Sequence, residues 1–411
     1  MIVTRDACEA MDRDDPLGFV RDRFDVPEDV IYLDGNSLGA LPRDTPEALE
    51  QATRKAWGKG LIRSWNTEGW IDQPLVLGGR IARLIGAETD EVAVTDSTSV
   101  NLFKLASAAM AMRPDRRVIL SEAGNFPTDL YMLQGLVEQL GGRAELRVVE
   151  RAAIADAITE EVALLVLTHV HYVTGEIFDM PGLTRRAHAV RALTLWDLSH
   201  SCGALEVDLN GAGADFAIGC GYKYLNGGPG APAYAFAAKR HHKVMRQPLA
   251  GWMGHAKPFD FVDDYAPAPG IAQVLCGTPS VLAMTALKCG LDTFEGVEMA
   301  AVRKKSIALS EVFRELMTAP ELAEFQLVSP EDPNLRGSHL SYAHQDGYAI
   351  MAALIDRGVI GDFRAPDRLR FGFTPLYARF VDMFDAVGRL KAVMRDDAWR
   401  APKYAVRQAV T

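Results

Sequence analysis

The sequence predicts an α/β protein with a mainly parallel central sheet, helices on both faces, and a smaller α+β domain after it. Three observations carry this. Short apolar runs alternate with amphipathic stretches through the middle of the chain, as buried parallel strands and their crossover helices do. From about Pro279 the texture changes to long helical patterns mixed with short strands. The 411 residues contain no short-period repeat, low-complexity tract or Gly/Ser linker, so the length is spent on packed units.

The leading segment, 1–49, is rich in Asp, Pro and Gly and is expected to wrap onto the C-terminal domain. The large domain is expected over 50–280. Its strands are predicted at Val118–Leu120, Arg147–Val149, Ala163–Val170, Leu193–Trp196, Phe216–Ile218 and Ala233–Ala237. Amphipathic stretches at Thr128–Leu140 and Pro181–Ala192 supply the connecting helices. The small domain is expected over 281–411. It has helices at Val281–Glu295, Val302–Met317, Gly347–Arg357 and Arg379–Arg395, and strands at His339–Tyr342 and Leu369–Phe373.

Composition narrows the function. The balance of 44 basic and 54 acidic residues gives a net charge of −10, which argues against a nucleic-acid surface. The N-terminus lacks the apolar core of a signal peptide, and no apolar run is long enough to span a bilayer. A cytoplasmic protein without a membrane partner is the expectation. The five cysteines are scattered with no CxxC pair, which suits reduced thiols. His169 and His171 share a strand face but have no third ligand at metal spacing, so no metal site is expected. Neither a phosphate-binding P-loop, a dinucleotide fingerprint nor a hydrolase elbow occurs.

The chemistry concentrates in Trp196-Asp197-Leu198-Ser199-His200 and Gly221-Tyr222-Lys223-Tyr224. An acid closes one apolar run, and a lysine sits in a Gly-rich loop after the next. That order suits a pyridinium cofactor held by an ion pair at Asp197 and a Schiff base at Lys223. A lysine among small and aromatic residues is off the ordinary solvated face, where desolvation makes its amine nucleophilic. Asp197 could equally be a helix N-cap, and His200 a partly buried polar residue. Thr98 and Ser99 open a helical run and are either phosphate contacts or plain capping residues. Phe126, in Asn125-Phe126-Pro127-Thr128-Asp129, either stacks on a flat ring or is a core aromatic. Alternation places Arg368 and Arg370 on one strand face, where a guanidinium fork could hold an α-carboxylate or form a surface ion pair.

Taken together, these segments resemble the kynureninase family of pyridoxal-phosphate enzymes, which have the aspartate-aminotransferase fold (fold type I). The resemblance runs nearly the whole length. It includes Tyr32-Leu33-Asp34-Gly35-Asn36-Ser37-Leu38-Gly39, the Ser97–Leu102, Asn125–Asp129, Asp197–His200 and Gly221–Tyr224 motifs, Gly251-Trp252, Gly277-Thr278-Pro279 and Arg370–Tyr377.

What the resemblance implies is specific. Lys223 forms the Schiff base with pyridoxal 5'-phosphate, Asp197 pairs with the pyridinium, His200 supports the polar ring edge and Phe126 covers one face. Thr98, Ser99 and Tyr222 contact the phosphate region. Asp129 and Thr168 line the pocket. Trp252 and Thr278 reach the phosphate of the other subunit, so a homodimer with shared active sites is implied. Arg370 binds the carboxylate of the amino-acid substrate, with Trp65 and Asn36 also in the substrate pocket. The implied reaction is hydrolytic Cβ–Cγ cleavage of L-kynurenine, or of 3-hydroxykynurenine. The products are anthranilate or 3-hydroxyanthranilate, and L-alanine. It belongs to tryptophan catabolism and NAD biosynthesis. Lys223, Tyr222 and Asp197 are the expected catalytic residues, with Tyr222 a proton donor in the later steps. The rivals are other enzymes of the same fold, a cysteine desulfurase or a class V aminotransferase. A desulfurase needs a mobile cysteine and stacks a histidine where Phe126 stands here.

Overall fold

The computed structural model describes residues 3–407. A seven-stranded sheet forms the centre. Its strands are β1 (Val92–Val94), β2 (Val118–Glu122), β3 (Glu145–Val149), β4 (Val162–Thr168), β5 (Leu193–Asp197), β6 (Phe216–Gly219) and β7 (Tyr234–Ala237). Their spatial order is β3-β2-β4-β5-β6-β7-β1, and only β7 runs against its neighbours. All seven residues of β4 and all five of β5 are buried, which is why Val162–Leu167 is an unbroken apolar run and β5 is apolar except at Thr194 and Asp197. Fully burying each such aliphatic side chain contributes about 1.5–3 kcal/mol.

Helices cover both faces. Thr98–Ala111 buries Leu102, Leu105, Ala106, Ala108 and Ala109, and its N-cap Ser97 accepts a hydrogen bond from Val100 N–H at 3.3 Å. Met180–Ala189 starts at Asp179, whose carboxylate accepts from Gly182 N–H. Strand β1 went unpredicted, because three residues are too short to show a period.

The smaller unit is a four-stranded antiparallel sheet with helices on it. Its strands are β8 (Gln326–Leu327), β9 (His339–Ala343), β10 (Asp362–Arg364) and β11 (Arg368–Gly372), in the order β10-β11-β9-β8. Phe313, from the helix Met299–Leu316, packs on Phe371 and Phe373 at ring separations of 4.8 and 5.5 Å. The helix Val281–Asp292, just past residue 280, puts Met284, Leu287 and Leu291 into the core of the large sheet.

The N-terminal segment serves both units. Leu17, Val20 and Phe24 enter the large core, while Cys8, Ile31 and Leu33 enter the small one. Asp12 caps the helix Phe380–Arg395 by accepting from the N–H groups of Phe380 and Val381 at 2.6 and 3.0 Å. A buried Lys305–Asp15 ion pair at 2.6 Å pins the following turn. Ile31–Tyr32 pairs in parallel with Val359–Ile360. Through these contacts the segment Asp34–Gly39 is delivered to the seam between the two sheets.

Candidate active site

The strand order sets the place of the site. Strand β2 connects outward to β3, and the chain then returns to β4 on the other side of β2. That reversal opens a crevice beyond the carboxyl ends of the strands. The loop after β2 carries Phe126, the first turn of the helix Pro127–Gln139 carries Asp129, β4 ends at Thr168, β5 ends at Asp197, and the loop after β6 carries Tyr222 and Lys223. These residues surround a cavity of about 320 Å³, with Ser97, Thr98 and Ser99 at the start of the helix Thr98–Ala111 on its rim.

Lys223 is 9% exposed and forms no ion pair among the described residues. Its Nζ lies 3.4 Å from His200 Nε2, and 5.7 and 5.8 Å from the ring centroids of Phe126 and Tyr222. His200 Nε2 also lies 3.1 Å from the carbonyl of Asn36. Burial, then the charges of Lys223 and Arg370 and the neighbouring His339, hold His200 neutral, well below its ordinary value.

Asp197 and Asp129 are both buried and face one another. Burial raises both, and the Asp197 charge raises Asp129 further, while Ser199 and Lys223 favour ionised Asp197. The Ser199 N–H donates to Asp197 Oδ1 at 2.7 Å. Thr168 Oγ1 donates to Asn125 Oδ1 and lies 3.4 Å from Asp129 Oδ2. Burial, then Cys220 and Asp197, push the Tyr222 phenol upward, so it remains a proton donor.

These groups are built around something absent from the chain itself. Among the described residues, neither the two buried carboxyls nor the buried lysine has an ion-pair partner within contact distance, and only the field of Lys223 reaches the carboxyls. A helix start with three hydroxyls offers N–H groups to an anion. A flat ring, Phe126, stands over the lysine. A planar group with a cationic end, an electrophilic carbon and a phosphate answers each of these needs in turn.

Nine of the residues singled out from the sequence line the cavity: Thr98, Ser99, Phe126, Asp129, Thr168, Asp197, His200, Tyr222 and Lys223. Five do not. Thr278 lines a neighbouring cavity of about 420 Å³ that shares Ser97 and Tyr222 with the first. Trp252 is 37% exposed and touches Phe259 edge-on. Trp65 packs edge-on against Trp70 at 6.0 Å, away from the cavity of its own chain. Asn36 is buried at the seam with both amide atoms unpartnered.

Arg370 is 1% exposed and already engaged. Its Nε donates to Asp362 Oδ1 at 2.7 Å and its Nη2 to Asp362 Oδ2. Nη2 also donates to Ser37 Oγ at 3.2 Å, and Nη1 donates to the carbonyl of Tyr172. Asp362 also pairs with Arg364 at 2.8 Å.

Sequence reasoning missed Asp362, Tyr172 and His339. Asp362 sits directly opposite Arg370 in the β10–β11 register, a pairing that no spacing along the chain reveals. Tyr172 lines the cavity and meets the Phe126 ring edge-on at 5.3 Å. His339 is fully buried, 5.8 Å from the His200 ring, and burial followed by the Arg370 charge pushes it down to about 3.

The Asp34–Gly39 loop explains its own glycines. The Gly39 N–H donates to the carbonyl of Tyr222 at 2.8 Å, and a Cβ on Gly39 would lie 2.5 Å from the carbonyl oxygen of Lys223. Only a residue without a side chain lets this loop close on the lysine loop.

Comparison with known proteins places the chain in a family. The family described as the kynureninase C-terminal domain matches residues 302–390. A kynureninase from Burkholderia mallei (strain SAVP1) is 52% identical, with 99% of this chain and 100% of the relative covered. A kynureninase from Pseudomonas fluorescens is 47% identical, with both chains covered completely. Among solved structures, the apo cysteine desulfurase of Thermococcus onnurineus NA1 superposes with a TM-score of 0.78 at 19% identity, covering 92% of this chain and 98% of that one. A mutant of C-DES, with glycine covalently linked to its PLP cofactor, gives 0.77 at 16% identity, covering 92% and 99%. At those identities the structural likeness concerns the fold.

Proposed function

The chain belongs to the kynureninase family, and we propose that the cavity around Lys223 is where it performs that family's reaction. It is a pyridoxal-phosphate-dependent hydrolase of carbon–carbon bonds, cleaving Cβ–Cγ of L-kynurenine or its 3-hydroxy derivative to the anthranilate and L-alanine. The observation that carries the site assignment is the buried lysine without a counter-ion, set beside two buried carboxyls without a cation.

The residues fit the cofactor. Asp197, ionised with Asp129 holding the shared proton, takes the ring nitrogen. Phe126 covers a ring face, and neutral His200 serves its polar edge. Thr98, Ser99 and Tyr222 hold the phosphate, and Lys223 takes the aldehyde carbon. When bound, the cofactor supplies an electron sink for the pair left at Cα.

The side chains then manage protons and position. With substrate bound, Lys223 would be the base that takes the proton from Cα and holds it for return in a later step. Arg370, held in place by Asp362 and Ser37, binds the α-carboxylate beside Asn36. Tyr222, kept protonated by its surroundings, donates toward the γ-carbonyl region in the later steps. Water attacks that carbonyl, the aromatic acid leaves, and the remaining three-carbon unit is protonated to alanine.

The same reading includes a homodimer. Trp252 and Thr278 do not line the Lys223 cavity of their own chain, which suits residues that complete a partner's site, with Trp65 in the same shared region. Exposed Phe259, Phe261 and Val262 continue the apolar surface from Trp252. A cofactor-binding body over 50–280, a smaller body over 281–411 whose first helix, Val281–Asp292, packs into the core of the large sheet, and a cytoplasmic location belong to it too. Among the described residues no helix is long and apolar enough to cross a membrane.

The test is release of anthranilate from L-kynurenine by the purified protein, with Lys223→Ala as control and sulfide release from cysteine as the rival assay. Anthranilate formation abolished by the variant supports the reading. Sulfide release without anthranilate refutes it. A dimer interface is checked by mixing Lys223→Ala with Trp252→Ala chains: recovery of activity in the mixture above either parent is expected if the sites are shared.

A further inference from the structure

A group of arginines lies at the opposite end of the central sheet's strands from the active site. A cavity of about 570 Å³ opens there at the amino ends of β2, β5 and β6, remote from the strand ends that carry the active site. Four guanidinium groups line it, those of Arg113, Arg116, Arg191 and Arg240. Only two carboxylates do, in a protein whose overall charge is −10.

Neither carboxylate neutralises the cluster. Asp215 is fully committed. Its Oδ1 accepts from Arg240 and from His241 Nε2 at 2.8 and 2.7 Å, and its Oδ2 accepts from His188 Nε2 and the Thr194 N–H, both at 2.8 Å. Asp115 is 68% exposed and stands 4.0 Å from Arg116, at the outer limit of an ion pair.

Two of the remaining guanidiniums, those of Arg113 and Arg116, meet carbonyls instead. Arg116, whose side chain is 4% exposed, donates from Nη1 to the carbonyls of Val162 and Val190. Arg113 donates to the carbonyls of Arg191 and Met112 at 2.8 and 3.0 Å. The side chain of Arg191 has no partner among the described residues, and its backbone is held at φ +63°, a conformation unfavourable for a residue with a side chain. Carbonyl contacts fix these side chains in place without cancelling their charge. A nearly buried guanidinium with no close counter-ion is a strong attractor for an anion.

We propose that this pocket is an anion site for a phosphate group, independent of the cofactor's phosphate. The three unneutralised forks come from three backbone elements: the end of the helix Thr98–Ala111, the start of β2, and the turn after the helix Met180–Ala189. A tetrahedral dianion presents acceptor oxygens in as many directions, whereas a carboxylate presents two in one plane. The cavity is wider than the ion alone needs, so a phosphorylated small molecule fits as well as free phosphate.

The test uses holoenzyme with its cofactor fixed to Lys223 by borohydride reduction, so that the catalytic phosphate site stays filled. Inorganic phosphate is titrated in and followed by phosphorus NMR at constant ionic strength. Saturable binding is expected. Arg191→Gln and Arg113→Gln should each weaken it about tenfold, the loss of one charge-assisted contact. Arg116→Met bears on folding as well, since Arg116 holds two carbonyls, so the exposed Arg191 is the deciding variant. Competition by sulfate and none by succinate supports the tetrahedral assignment. Absence of saturable binding, affinity unchanged in both glutamine variants, equal competition by succinate, or retention of an adventitious ion only overturns it.

Discussion

Replacing Asp362 with Asn tests whether the substrate clamp is held by the small sheet. Arg370 and Asp362 face each other across β10 and β11, each 1% exposed, and are joined by two parallel N–H···O contacts. Asn keeps the shape but carries no charge, and its amide group turns one acceptor into a donor aimed at a guanidinium. Removing one partner of a buried pair leaves a buried charge and destabilises by about 3–5 kcal/mol. Part of that loss is recovered here, because Asp34 stands near the same guanidinium and can ionise to replace the missing charge. A net loss of about 2–3 kcal/mol is therefore expected, read as a lower urea midpoint of the holoenzyme. With the fork free to shift, kcat/KM for L-kynurenine should fall about a hundredfold, mostly through KM. Asp34→Asn/Asp362→Asn should lose more than the two single variants together. An unchanged urea midpoint with unchanged kcat/KM refutes the argument, and strict additivity refutes the role given to Asp34.

Three further outcomes follow from the same geometry. Tyr222→Phe should keep the cofactor's absorbance while turnover drops about a hundredfold or more, and near-normal turnover removes Tyr222 as a proton donor. Burial, then the Asp362 charge, pushes Asp34 up to about 7, against the opposing effects of Ser37, Arg370 and Arg364. A carboxyl raised on folding stabilises in its protonated form, so this contribution is present at low pH and fades as pH climbs through about 7. Asp34→Asn should accordingly gain stability relative to the parent between mildly acidic and mildly alkaline pH in thermal melts, and a constant difference contradicts it. A Cβ on Gly372 would collide with the Asn36 amide oxygen, so Gly372→Ala should destabilise by about 1–3 kcal/mol and lower kcat/KM together, both measurable on one preparation.

Much of the large unit was legible in the chain. Strand β4 could be read because all seven of its residues are buried and six are apolar, and the loops after β2, β5 and β6 because their chemistry is written in consecutive residues. Most of the nine sequence-predicted residues that line the Lys223 cavity come from such local motifs. Strand β1 and the short parallel pair of Ile31–Tyr32 with Val359–Ile360 were hidden, since two or three residues carry no period and their partners lie far off in sequence. Arg370 was visible as a fork on a strand face, but its partner was not.

Local order along the chain, then, determined the elements, the lysine, its facing acid and the family to which they belong, because each rests on neighbouring residues. Tertiary structure alone decided that Asp129 and Asp197 face one another, that Arg370 is held by Asp362 opposite it, and that Gly39 closes on the Lys223 loop. It also decided that unneutralised guanidiniums gather at the amino ends of β2, β5 and β6. Charge and burial act through distance in space, and the fold sets that distance whether the sequence keeps two residues eight positions apart, as Asp362 and Arg370, or 184, as Gly39 and Lys223.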